Sequence, residues 1–287
     1  MKNAIILAAG TSSRFVPLSL EKPKGLLEVK GEVLIERQIR QLKEAGVNDV
    51  TIVTGYKAQS FEYLKEQFGV CLVHNDDYSR FNNASSIFRV LDQLSDTFIC
   101  CSDHYFTRNV FIDKADDSYY AALYSNGKTK EYCLVTDSHD YIKEVDIGGY
   151  DSWYMAGHVF FADSFSKKFR KIMIEEYRKD CVRNGYWEDV YIQHINDLPM
   201  KVMRYSDNDI FEFDTLDELR RFDLSYIDNT RSTILKDICE RMSWKEKDIS
   251  HITNYKTEEA ESVFTLAHTG ETYCILWTPD HITINKQ

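Results

Sequence analysis

Residues 3–27 read NAIILAAGTSSRFVPLSLEKPKGLL, and the opening of that stretch decides the fold. From Asn3 to Ala8 runs a short, continuous apolar segment closed by Gly10, the pattern of a central parallel strand buried on both faces. Preceded by Met1 and Lys2 it superficially looks like a signal peptide. The run is too short for one, and it leads straight into a charged segment without a spaced cleavage site, so it reads as a first strand. Downstream, VLIERQIRQLKEAG predicts a helix with Leu34, Ile35, Ile39, Leu42 and Ala45 on one face and Gly46 as its C-terminal cap. The alternation continues with DVTIVTG as strand, AQSFEYLKEQFG as helix, VCLVH as strand, SSIFRVLDQL as helix and TFICCSD as a strand ending at Asp103. Strands alternating with helices imply βαβ crossovers and helices on both sides of a sheet, with ligands at the carboxyl ends of the strands.

From about Tyr119 the texture changes to strand-like segments, YYAALYS, EYCLVTD, YIKEVDI and MAGHVFFAD, without long helices between them. These predict an antiparallel extension able to hold a second substrate. Helices are expected at SFSKKFRKIMIEEYRKD and near WEDVYIQHIND, then strands KVMRYS and DIFEFD and a helix TLDELRRFD. The last sixty or so residues predict a helix, STILKDICERM, and strands around ESVFTLAH, TYCILW and HITIN. The expected fold is therefore α/β: a Rossmann-like, mostly parallel mixed sheet flanked by helices, with an antiparallel extension and a small C-terminal α+β unit. The domain boundary falls between 227 and 228, giving domains 1–227 and 228–287.

Composition supports a folded chain. Among 287 residues, 43% are hydrophobic and 28% charged, with only 4 Pro and 12 Gly, which excludes collagenous and disordered classes. The 35 Lys and Arg against 46 Asp and Glu leave a net charge of −11, which argues against nucleic acid or an anionic membrane as partner. No window approaches the ~18 apolar residues of a membrane span. The 7 cysteines form an odd set without a C-x-x-C pair or Cys/His ligand spacing, as expected of buried, reduced thiols in a cytoplasmic protein.

Chemistry concentrates in the stretch after the first strand. A glycine-containing turn at Gly10 lets backbone N–H groups approach a polyphosphate. Arg14 and Lys24 supply the cationic charge that phosphoryl transfer requires on its spreading negative oxygens. Neither a Walker A loop nor a G-x-G-x-x-G turn is present.

This stretch resembles the nucleotidyltransferases that join a nucleoside triphosphate to a phosphate monoester or sugar 1-phosphate, whose pattern is L-A-A-G-x-x-x-R-x-x-P-L-x-x-x-x-P-K. Leu7, Ala8, Ala9, Gly10, Arg14, Pro17, Leu18, Pro23 and Lys24 meet every fixed position. Further along, GYKAQSFEYL, VHNDDYSRFNNASSIF, CSDHYF and DIFEFDTLDELRRF are similar to segments of the bacterial cytidylyltransferases that activate phosphocholine. That resemblance covers about residues 1–227. It implies that Leu7, Ala8, Ala9, Gly10, Thr11, Ser12 and Ser13 bind CTP, that Asn83 and Ser86 read the base or ribose, and that Asp103 and Asp214 hold Mg²⁺. A helix cap remains the competing reading for both aspartates, most of all for Asp214.

Aromatic residues make up 13% of the chain. A quaternary ammonium is recognised by aromatic faces beside a carboxylate, having no hydrogen to donate. Glu131, Tyr132, Trp153, Tyr154, Tyr186, Trp187, Glu188 and Asp189 lie in segments expected to face the second substrate. Glu131-Tyr132 and Trp187-Glu188-Asp189 align best with the phosphocholine enzymes, although Tyr132 stands where that group tends to have tryptophan, and Glu131, Tyr132, Tyr154, Trp187 and Asp189 are the expected substrate-binding residues. The implied reaction is in-line attack of a phosphocholine oxygen on the α-phosphorus of CTP with loss of pyrophosphate, Lys24 at the reacting phosphoryl group and Arg14 at the β/γ end. The alternatives are another phosphorylated or phosphonate amine, such as 2-aminoethylphosphonate or phosphoethanolamine, or a sugar 1-phosphate. A non-catalytic, nucleotide-binding regulator is a further reading. The C-terminal segment weakly resembles the opening of a choline kinase-like fold, yet carries Leu276-Trp277 where a basic residue would be presented to ATP. A truncated remnant, or a packing and dimerisation element, is expected there.

Overall fold

The structure, a computed structural model, describes residues 2–112, 117–255 and 262–287. They group into two compact units, Met1–Gly10 with Val33–Phe211 and Thr11–Glu32 with Glu212–Gln287. The loop from Thr11 and the segment from Glu212 thus group with the C-terminal segment, a different line from the sequence boundary at 227.

A seven-stranded sheet organises the first unit. Its strands are β1 (Asn3–Ala8), β2 (Asp49–Thr54), β3 (Cys71–His74), β4 (Thr97–Cys101), β5 (Tyr119–Thr136), β6 (Ile142–Phe161) and β7 (Lys201–Arg204). They lie in the order β7-β5-β6-β4-β1-β2-β3. β4, β1, β2 and β3 are mutually parallel, β6 runs antiparallel to both β4 and β5, and β7 is parallel to β5. All of β1 is buried, as its unbroken apolar run demands. The chain runs from β1 out to β2 and β3, then returns to β4 on the other flank of β1. This reversal makes the carboxyl ends of β1 and β4 a topological switch point, where open α/β sheets bind ligands.

Helix α1 (Leu34–Glu44) buries Leu34, Ile35, Ile39 and Leu42, as the spacing predicts, and Gly46 after it takes a left-handed φ of 81°. Other helices are shorter than their sequence patterns. AQSFEYLKEQFG splits into a 3-10 turn and α2 (Tyr63–Phe68), and SSIFRVLDQL into α3 (Asn83–Phe88) and a 3-10 turn at Leu91–Gln93. Conversely, the four strand-like segments after Tyr119 merge into the 18-residue β5 and the 20-residue β6. Register shifts interrupt their pairing, between Ser125 and Lys128 and between Thr129 and Tyr132 among others, so bulges rather than turns break the hydrophobic alternation. DIFEFD contributes only Ile210–Phe211, paired with Tyr105–Phe106. Helices α4 (Asp163–Glu176), α5 (Asp180–Asn184) and α6 (Trp187–Gln193) complete the unit, and its core includes Phe161, Phe165, Phe169, Trp187 and Tyr191.

The second unit contains α7 (Leu216–Phe222), α8 (Thr233–Met242) and an antiparallel sheet of β8 (Ile249–Tyr255), β9 (Ser262–His268), β10 (Glu271–Thr278) and β11 (His281–Lys286) in sequential order. β8, with Ser250, His251, Thr253 and Asn254 among its seven residues, is not among the expected strands. Helix α8 is capped twice over. Ser232 Oγ accepts from Leu235 N–H, and the Glu21 carboxylate accepts from Thr233 and Ile234 N–H. Among the described residues no helix is long and apolar enough to cross a membrane.

Candidate active site

The loop 11–32 is pinned by its apolar residues. Phe15, Val16, Leu18, Leu26 and Leu27 are all buried, which fixes where the intervening cations emerge. Arg14 keeps 73% of its side chain exposed while Lys24 keeps only 6%. The Lys24 ammonium lies 3.7 Å from Asp214 Oδ1, 3.9 Å from Glu212 Oε1 and 5.8 Å from the Phe15 ring centre. Arg14 Nη1 lies 2.6 Å from Asp214 Oδ2, so each Asp214 oxygen faces one cation. Burial pushes the Asp214 carboxyl above its usual range, Lys24 opposes this, and Glu212 adds to it.

Asp214 does not cap α7. Thr215 Oγ1 accepts from Glu218 N–H at 3.2 Å, while Glu218 Oε2 accepts from the backbone N–H of Asp214 at 2.7 Å and of Thr215 at 3.2 Å. That capping box satisfies the helix start and leaves the Asp214 side chain to the cations.

In the first unit, the ends of β1, β2, β3 and β4 are laced together by backbone hydrogen bonds. Tyr56 N–H donates to Ala9 O, Ser102 N–H to Leu7 O and Asn75 N–H to Thr54 O. At Gly55 an added Cβ would lie 2.8 Å from Ala9 O and 2.6 Å from Tyr78 Cβ, so close approach explains this glycine. Gly10 differs. Its backbone is not left-handed and an added Cβ would meet nothing within 4 Å, so no protein atom requires glycine there. Close approach by a ligand does supply a reason.

Asp103 lies just beyond β4, at the switch point. The turn that presents it is clamped from behind by Gln38, fully buried on α1, whose Nε2 donates to both Cys101 O and His104 O at 2.9 Å. One Asp103 oxygen is buried and the residue is half-exposed. Asp103 in the first unit, and Asp214 in the second, each offer hard carboxylate oxygens of the kind that Mg²⁺ takes.

A third group occupies the region of β5, β6 and the start of α6. The Tyr132 hydroxyl donates to Asp189 Oδ1 at 3.2 Å, and the Tyr132 and Tyr186 rings meet edge to face at 6.5 Å. Tyr120 donates to Glu188 Oε1 at 3.0 Å and Asn83 Nδ2 to Glu188 Oε2 at 3.3 Å. Burial pushes the Glu188 carboxyl up to about 7, with the hydrogen bonds from Asn83 and Tyr120 opposing it. Burial and then Asp189 push the Tyr132 hydroxyl up to about 12.

Residues 4–142 match the MobA-like NTP transferase domain. A choline-phosphate cytidylyltransferase of Streptococcus pneumoniae is 31% identical over 220 residues, covering 77% of this chain and 96% of that protein. The chain belongs to the nucleotidyltransferase family, among the bacterial cytidylyltransferases. A 2-aminoethylphosphonate cytidylyltransferase of Lancefieldella rimae is 33% identical over 234 residues, 80% of this chain and 95% of that protein. The solved CTP:phosphocholine cytidylyltransferase of Streptococcus pneumoniae superposes with a TM-score of 0.74 at 32% identity, over 77% of this chain and 96% of that one. The inositol-1-phosphate CTP transferase of T. maritima shares the fold, with a TM-score of 0.59 at 17% identity. The protein is thus a nucleotidyltransferase of a family that works with a divalent cation.

Within this cytidylyltransferase frame, the structure brings together Arg14, Lys24 and Asp214, and separately Tyr132 and Asp189. Other expected site residues turn inward. Trp187 is 2% exposed and stacks on Tyr120 at 5.9 Å, so it backs the aromatic wall. Asn83 Oδ1 accepts from Trp187 N–H at 2.9 Å, and Ser86 Oγ accepts from buried Asn75, so both belong to internal networks. Glu131 is exposed, and Tyr154 and Trp153 are half-buried on β6. Tyr120, Gln38 and Glu21 escaped the sequence reading because each acts through a partner at least 60 positions away.

Proposed function

We propose that the protein transfers CMP from CTP to phosphocholine, giving CDP-choline and pyrophosphate, with Mg²⁺ as its metal. The observation that carries this reading is the pair of Tyr132 and Tyr186 rings beside Asp189, with Glu188 held next to it by buried Tyr120. Aromatic faces and carboxylates together suit an alkylated ammonium, which needs negative potential without hydrogen-bond acceptors. The backbone from Leu7 through Ser13 receives the triphosphate. Lys24, compact and desolvated, neutralises charge at the reacting phosphoryl group, and exposed Arg14 holds the β/γ end. Asp103 and Asp214 would hold the metal ion, which supplies electrophilic charge to the phosphates. The acceptor oxygen, already ionised, attacks the α-phosphorus in line, so no side chain has to remove a proton. We place this activity in residues 1–227, in the cytoplasm, where the 7 free thiols stay reduced. Residues 228–287 are assigned no kinase activity.

2-Aminoethylphosphonate is the second reading. Two adjacent carboxylates offer acceptors to a primary ammonium, and Tyr132 brings a hydroxyl where tryptophan would not. A pyrophosphate-release panel crossing the common nucleoside triphosphates with phosphocholine, phosphoethanolamine, 2-aminoethylphosphonate and glucose 1-phosphate decides. The highest kcat/KM is expected for CTP with phosphocholine. A preference for 2-aminoethylphosphonate moves the assignment to the second reading, and a preference for the sugar phosphate defeats both.

A further inference from the structure

We infer that Cys101, Asp103 and His104 form a binding site for one thiophilic divalent cation of the Zn²⁺ class. A thiol sulfur, a carboxylate oxygen and an imidazole nitrogen, one donor from each residue, lie within 4.8 Å of one another. Sulfur, nitrogen and oxygen donors in one cluster select zinc-like ions, whereas Mg²⁺ takes oxygen alone. A thiolate and a carboxylate with a neutral imidazole balance a doubly positive ion, leaving a fourth position for water or phosphate. The sequence places the three donors within four residues, C-x-D-H, too close for the usual ligand spacings and therefore invisible to them.

Two further features mark the cluster as built. The turn carrying it is fixed by the Gln38 amide on Cys101 O and His104 O and by a 3.4 Å bond from His104 N–H to Cys101 O, so the donors are held before any ion arrives. Opposite them stands Gly157, with a φ of 64°, where an added Cβ would lie 2.7 Å from His104 Cε1, 3.0 Å from its Nε2 and 3.8 Å from Cys101 Sγ. Only glycine leaves that space beside the nitrogen and the sulfur open. His104 is buried, while Cys101 and Asp103 are half-exposed and give an ion its way in. The site goes beyond the proposed reaction, because it needs neither nucleotide nor acceptor. It also shares Asp103 with the Mg²⁺ assignment, so Zn²⁺ competes for that carboxylate and inhibits turnover until a chelator removes it.

The test uses the full chain, stripped of metal by chelation and titrated with Co²⁺ and then Zn²⁺. The expected result is one equivalent of Co²⁺ producing a thiolate-to-cobalt charge-transfer absorption that Zn²⁺ bleaches. Cys101→Ser should abolish the band and weaken Zn²⁺ binding at least tenfold, and Asp103→Asn should weaken it while keeping the band. Thermal unfolding of each variant establishes that it is folded. Absence of the band in the wild-type protein overturns the inference, as does its survival in folded Cys101→Ser, which would place the ion on another of the 7 thiols.

Discussion

Replacing Lys24 with methionine separates what this side chain does for the fold from what it does for chemistry. Its ammonium faces Asp214 at 3.7 Å, an attraction of about 4 kcal/mol at an effective dielectric of ~20. Solvent screens it, since the Asp214 and Glu212 side chains retain 35% and 48% exposure, and about 1–2 kcal/mol survives. Removing the amine from water costs about as much as the pair returns, and methionine refills the volume. Stability should therefore change by no more than about 1 kcal/mol, a shift of a few degrees in Tm. Chemistry has no such offset. A preorganised charge at the reacting phosphoryl group is worth about 3–4 kcal/mol, so kcat should fall roughly 10²–10³-fold at saturating CTP. Lys24→Arg should not rescue it, because a planar guanidinium cannot replace a compact ammonium in a nearly closed position beside Phe15. Steady-state pyrophosphate release alongside thermal unfolding reads both quantities. A Lys24→Met protein with unchanged Tm and kcat within about threefold of wild type would refute the reasoning.

Gly10→Ala should leave Tm unchanged, because its Cβ enters open space, yet weaken CTP binding by about tenfold or more; equal affinities in a calorimetric titration would show that nothing approaches this backbone. Gly157→Ala should cost about 1–3 kcal/mol, from a left-handed φ and a Cβ 2.7 Å from the His104 ring; an unchanged Tm would mean that the ring yields freely. Glu21→Ala removes the carboxylate bonds to Ser232 Oγ and to the first turn of α8 and should cost about 1–2 kcal/mol in urea unfolding. Glu188 has its carboxyl raised from 4.5 to about 7 in the fold. The unfolded chain therefore releases that proton first, and this group's contribution to stability falls as pH rises from about 4.5 to about 7. Glu188→Gln should flatten that slope, and identical stability-versus-pH curves for the two proteins over this window would count against it.

The parallel half of the sheet was legible because its strands are buried on both faces. An unbroken run such as Asn3 to Ala8 has few other uses. The extension was less legible, since bulges near Ser125 and Thr129 reset the alternation and cut two long strands into four apparent ones. Strand β8 was invisible because only Ile249 of ISHITNY is buried, the other positions alternating between half-buried and exposed with mostly polar side chains. In the candidate site, the motif after β1 pointed to Arg14 and Lys24, and the structure brings both beside Asp214. Trp187 could not be placed from its type. An indole beside two acids reads as a cation-binding face, and only tertiary packing reveals that it stacks behind Tyr120 instead. Asn83 illustrates the same limit, an amide whose oxygen and nitrogen both serve α6 and its glutamate.

A common arrangement explains how the carboxylates of this protein come to be available for chemistry. Asp103, Asp214 and Glu188 each sit where a strand ends or a helix begins, positions at which short polar side chains usually bond to nearby backbone. At Asp214, neighbours take over that local duty. Thr215 and Glu218 close the start of α7, so Asp214 meets cations. Asn83 Oδ1 and Asp189 Oδ2 accept the first N–H groups around α6, and the Glu188 oxygens accept from Tyr120 and Asn83. Gln38 reaches across from α1 to hold the turn after β4. Glu218→Ala frees the backbone N–H groups of Asp214 and Thr215, so it should draw the Asp214 carboxylate onto them and lower kcat in steady-state pyrophosphate release as Asp214→Ala does, with the charge still present but turned away from the cations.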